Sequence, residues 1–224
     1  MNSSQASSPT PPLPKQATDT AALLDSILRS ADAHYAQEDW AAARDSLRLA
    51  VQLAPEQGQL QAALGSLHYR LQEYPAACAA FTTATNKCPD NPDLYAQLAM
   101  VNLQLKQMEE AQTALKRALS LRPDHLTARQ MLGDLHLVEK RYADAAQQYC
   151  AALESNPNSV SLLLPLGKCL YELRDLASAT WCFERVIALD PPNAIAAEAL
   201  QILTANPSGV TVANGSSISC VSAT

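Results

Sequence analysis

The chain has 224 residues, 48% apolar and 17% charged, with a net charge of −6 and a pI near 5.2. That length suits one compact domain, two small ones or an elongated array. The acidic balance argues against broad binding to nucleic acid or an anionic membrane, since both need a basic face. Aromatics make up 5%, and Ala and Leu dominate, a mixture that favours helices.

The first segment, "MNSSQASSPTPPLPKQ", is polar and Pro-rich. It has no basic region leading into an apolar stretch, so it does not read as a secretory signal. Met1-Asn2 does not fit myristoylation, and Cys220 is misplaced for a prenylation box. No apolar run approaches the roughly 20 residues of a membrane helix. Residues 1–18 and 206–224 are rich in Ser, Pro, Ala and Gly and nearly uncharged, and are expected to be disordered. The chain between them reads as cytoplasmic.

From residue 24 onward the sequence repeats. Pro55, Pro89, Pro123, Pro157 and Pro191 are each 34 residues apart. Each proline follows, at the same distance, a small residue (Ala43, Ala77, Ala111, Ala145, Ala179) and a large one (Leu47, Phe81, Leu115, Tyr149, Phe183). Further upstream another small residue recurs: Ala31, Gly65, Ala99, Gly133 and Gly167. Recurrence at this period means stacked supersecondary units. The spacing predicts two antiparallel helices per unit. The small residues let the backbones approach, and the large apolar residue fills the space beside them. The proline ends the second helix, and Asn91-Pro92 supplies an N-cap and a first-turn proline. The predicted units are 24–57, 58–91, 92–125, 126–159 and 160–193. Residues 194–205 read as one more helix, the cap that a stack needs at its end.

This pattern resembles the tetratricopeptide repeat family over about 24–193, most of the chain. The resemblance implies an all-α fold, a right-handed α-solenoid of about five helix-turn-helix repeats with a C-terminal capping helix. Two departures stand out: Ser30 replaces an expected Leu, and no unit has the usual Gly between its helices. The turns end on Trp40, Tyr74, Met108, Tyr142 and Leu176, which are expected to pack across them.

No catalytic constellation emerges, so the chain is not expected to be an enzyme. Cys78 and Cys88 are ten residues apart, roughly 15 Å along a helix, too far for a disulfide or one metal ion. The remaining helical cysteines, Cys150, Cys169 and Cys182, are read as small core residues. His34, His68 and His136 share one repeat position and are read as packing residues, because packed helices stand about 10 Å apart. None of the six glycines forms a phosphate-binding loop. Neither cofactor nor metal is expected.

The family register places one stripe on the concave side, formed by the first helices: Tyr35, Tyr69, Leu103, Leu137 and Tyr171. With Arg70 and Lys168 it makes the candidate partner-binding set. Two family functions are not matched. The positions of a carboxylate clamp hold Leu28, Asp32, Ala62, Ser66, Ala96 and Met100, and those of an asparagine ladder hold Arg29, Ala63, Gln97, Met131 and Pro165. The expected function is a non-catalytic scaffold binding a peptide or helix of another protein in the groove, with no nucleic acid and no membrane. The alternative is an accessory component of a bacterial glycosyltransferase or methyltransferase system. Repeat arrays with an uncapped end can also self-associate.

Overall fold

The computed structural model describes residues 15–205. The expected disorder of 206–224 and of 1–14 lies outside these residues, while residues 15–18 belong to the first helix. The described residues form eleven helices and fall into two compact units, one ending at Cys88 and the other beginning at Pro89.

The first unit holds α1 (Lys15–Ala36), α2 (Trp40–Leu53), α3 (Gly58–Arg70) and α4 (Tyr74–Lys87). Part of its core joins Ala31, Ala43, Leu47, Ala50, Leu60, Leu64 and Leu67. These are the small and large positions of the repeat and the leucines that face them. Gly65 lies against Phe81, where an added β-carbon would come within 3.1 Å of the ring.

The second unit holds α5 (Pro92–Gln104), α6 (Met108–Leu121), α7 (Leu126–Val138), α8 (Tyr142–Leu153), α9 (Val160–Glu172), α10 (Leu176–Leu189) and α11 (Ala194–Ala205). Asn91 caps α5 by accepting the Asp93 N–H, with Pro92 in the first turn. Asp175 caps α10 in the same way through the Ser178 N–H. One core cluster gathers Ala99, Ala111, Leu115, Ala118 and Leu132, and a second gathers Tyr149, Leu163, Leu166, Leu170, Phe183 and Val186. The helix α11 buries Ala196 and packs Ala199, Leu200 and Leu203 against that second cluster, as a capping helix does.

The turns inside the helix pairs share one geometry. Glu38, Gln72, Lys106, Lys140 and Arg174 take φ of 59–65°, the left-handed region where glycine is the usual choice. Around each, two hydrogen bonds close the helix. In the α5–α6 turn the Lys106 N–H donates to the Leu103 carbonyl (3.1 Å) and the Gln107 N–H to the Asn102 carbonyl (2.9 Å). This is the Schellman arrangement, which satisfies carbonyls that a helix end leaves bare. The backbone conformation is that of a glycine turn although no glycine is there.

One cysteine departs from expectation. Cys88, Cys169 and Cys182 are free thiols, whereas Cys150 is disulfide-bonded. Cys150 is buried in the core as expected, but it is disulfide-bonded rather than a lone thiol.

Candidate functional site

The carbonyl of each stripe residue receives the N–H of the left-handed turn residue, so the stripe marks the last turn of every first helix. There a side chain covers the start of the following helix. In the first unit Tyr35 meets Trp40 edge-on at 4.9 Å between ring centroids, and Tyr69 meets Tyr74 at 5.6 Å. Tyr35 stays 45% exposed, and Tyr69 is half-buried. The Arg70 guanidinium sits 4.7 Å from the Trp40 ring centroid and 5.5 Å from that of Tyr35. Arg70, one of the candidate partner-binding residues, thus lies against two rings of its own chain.

The second unit gathers three of the candidate residues around one cavity of about 430 Å³. From α7 comes Leu137, from α9 Leu164, Pro165, Lys168 and Tyr171, from α10 Phe183, and from α11 Ile195, Ala199 and Ile202. Only Lys168 and Tyr171 bring polar atoms. The walls stand where they do because α11 lies against α10 and the α9 core, placing Ile195 and Ile202, two turns apart, beside α9. Ile195 and Ile202 are 63% and 46% exposed. Leu103 does not join them; it packs on the cluster shared by α5, α6 and α7.

A family model of the tetratricopeptide repeat matches residues 28–92, 97–160 and 141–194. The chain belongs to the tetratricopeptide repeat family. Solved structures agree on the fold. YrrB, described as a tetratricopeptide repeat protein with an unusual peptide-binding site, is similar with a TM-score of 0.67 at 20% identity, over 78% of this chain and 90% of that one. A tetratricopeptide repeat protein from Parabacteroides merdae gives a TM-score of 0.72 at 21% identity, over 83% and 74%. PilF of Pseudomonas aeruginosa gives 0.70 at 20% identity, over 85% and 88%. Among curated proteins, none matches by sequence.

Several polar groups of the tetratricopeptide repeats tie one helix to another. His68 Nδ1 lies 2.5 Å from Glu73 Oε2, while Arg44 Nη1 holds Oε1 at 2.7 Å. The hydrogen bond to His68, helped by the Arg44 charge, keeps the Glu73 carboxyl below its usual range. His136 Nδ1 lies 3.5 Å from the Glu139 carboxylate. Asp93 takes Arg122 through both oxygens (3.1 and 3.3 Å) and lies 3.0 Å from His125 Nε2. Among the described residues no group of three or more His, Cys, Asp or Glu is placed to hold a metal. Nor is any helix among them long and apolar enough to cross a membrane.

Sequence reasoning missed the α11 side of the cavity. Ile195 and Ile202 are seven residues apart, one helical face, but in a helix read only as a cap. The signal was there: a cap needs one apolar face, and these isoleucines lie off the face formed by Ala196, Ala199, Leu200 and Leu203.

Proposed function

We propose that the protein is a non-catalytic scaffold that binds a peptide or helical segment of a partner protein on the first-helix face of its repeats. The single observation that carries this reading is the open cavity on that face in the second unit, lined by Leu137, Lys168 and Tyr171. Its volume falls within the range of ligand-binding clefts, about 300–1,000 Å³. Exposed apolar surface with a polar rim tends to mark a partner site. The aromatic face of Tyr35, Tyr69 and Arg70 offers the first unit's own contact surface, suited to stacking. The comparison with YrrB, whose description names a peptide-binding site, supports the reading by fold alone.

A photo-cross-linking amino acid tests the face used. Placed at Tyr171 or Tyr69 it should capture partner chains, and placed at the exposed Lys116 of α6 it should not. Capture from Lys116 alone would move the working surface to the second helices and overturn the proposal.

A further inference from the structure

We infer that the α7–α9–α11 cavity takes an acidic peptide, anchored by one large apolar side chain inside the cavity and by a carboxylate at Lys168. The inference rests on the scaffold reading and says what chemistry the partner segment carries.

The anchor follows from the lining. Seven of the nine lining residues are aliphatic, proline or phenylalanine, so water inside finds few partners and an apolar side chain replaces it favourably. The surface continues outside the cavity: Val138, beside Leu137 at the end of α7, is 75% exposed, and Ile195 is 63% exposed. No described residue covers them.

The acid follows from Lys168. Arg44, Arg122, Arg141 and Lys87 all hold carboxylates of their own chain. Lys168 is exposed and makes no ion pair among the described residues. Glu172, one turn further along α9, does not reach it, and the Asp134 carboxylate takes the Tyr149 hydroxyl at 2.6 Å. A cation at the rim of an apolar cavity gains more from an incoming carboxylate than one out in water, because the occupied cavity excludes solvent on one side. An anchor in a pocket with a charge pair beside it is the pattern of an interface hot spot.

Two other occupants fit less well. A second copy seated by two-fold symmetry would offer the same patch in return, setting Lys168 in an apolar face that already holds Lys168. The chain's own residues 206–224 contain no acidic side chain. A partner segment with Asp or Glu near Leu, Ile, Met, Phe or Trp meets both demands.

A phage-displayed library of random 16-residue peptides, selected on the whole chain, tests this. Enriched peptides should pair a large apolar residue with Asp or Glu. Synthetic copies, followed by fluorescence anisotropy, should lose tenfold or more in affinity on Lys168→Glu and on Ile202→Asp. Both positions are exposed, so the helical circular dichroism of the variants should match wild type. Replacing the peptide acid by Lys should restore binding to Lys168→Glu. Selected peptides that lack an acid, or that bind both variants as they bind wild type, overturn this site and leave the scaffold reading standing. No selectable peptide at all overturns both. A concentration-dependent dimer in sedimentation, abolished by Ile202→Asp, assigns the patch to a second copy and overturns the inference.

Discussion

Gly133 and Tyr149 meet with a ring laid on bare backbone: a β-carbon on Gly133 would stand 2.7 Å from Cε1 of Tyr149. Tyr149 is fully buried, and its hydroxyl donates to Asp134 at 2.6 Å, so the ring has nowhere to retreat. Gly133→Ala should therefore destabilise. Overpacking costs about 1–3 kcal/mol, and the better helix propensity of alanine returns at most about 1 kcal/mol. The equivalent Gly65→Ala meets Phe81 at 3.1 Å, a contact that a few tenths of an ångström relieve, and should be close to neutral. Urea melts of the two variants check the order; the reverse order would mean that the Tyr149 ring is free to move.

That contact also shows how far the fold was legible. In the repeat, glycine stands opposite an aromatic ring (Gly65 and Phe81, Gly133 and Tyr149, Gly167 and Phe183) and alanine opposite leucine (Ala31 and Leu47, Ala99 and Leu115). Volume is conserved across each helix pair, as close packing demands, and the pattern is readable by counting residues. The cavity was only half legible. Leu137, Lys168 and Tyr171 share the register of the first helices, which a period of 34 exposes. Ile195 and Ile202 belong to a helix outside the repeat, and their place depends on how α11 packs, which no local pattern encodes.

The turn residues allow a stabilising change. Lys106 is exposed and holds φ at 60°. A side chain in that conformation costs about 1–2 kcal/mol, while glycine costs about 0.5–1 kcal/mol in extra unfolded-state freedom. Lys106→Gly should thus stabilise by up to about 1 kcal/mol, and Lys106→Val should destabilise. Thermal melts of the two variants in parallel give the comparison, and a glycine variant less stable than wild type would count against the turn geometry.

The cysteines separate by reactivity and by pH. Burial pushes the Cys169 thiol up to about 11 and the Cys182 thiol up to about 12. In the unfolded chain both ionise near the ordinary value of about 8.5. The sign follows: their contribution to stability is complete below that value and is lost as pH rises toward the folded values. Wild type should lose more stability between pH 8 and pH 10.5 than the variant with Cys169→Ala and Cys182→Ala, as denaturant melts at the two pH values would record. Iodoacetamide at pH 8 should label Cys78 and Cys88 before Cys169 and Cys182. Cys150 should stay unlabelled, even in denaturant, until a reductant is added. Prompt labelling of Cys150 in denaturant alone would contradict its disulfide.

Arg70 tests whether the first unit's aromatic face is built or incidental. Its guanidinium lies 4.7 Å from the Trp40 ring centroid, and Tyr35 closes the edge of that ring at 4.9 Å. A guanidinium over an exposed ring contributes about 0.5–1 kcal/mol. Arg70→Ala should cost about that much folding stability, and Arg70→Lys somewhat less of it, because an ammonium stacks less well than a planar guanidinium. Trp40 reports the contact directly once Trp181, the other tryptophan, is replaced by Phe. In that background Arg70→Ala should change the emission of Trp40 with helicity intact. Tyr69→Ala, by contrast, removes a half-buried ring from Tyr74, and its folding cost should stay below the about 3–5 kcal/mol of a fully buried aromatic. If Tyr69→Ala costs that full amount, the ring belongs to the core, and the first unit loses its claim as a partner surface. If Arg70→Ala leaves both stability and Trp40 emission unchanged, the guanidinium is free, and Arg70 returns to the role of a charge held out for a partner.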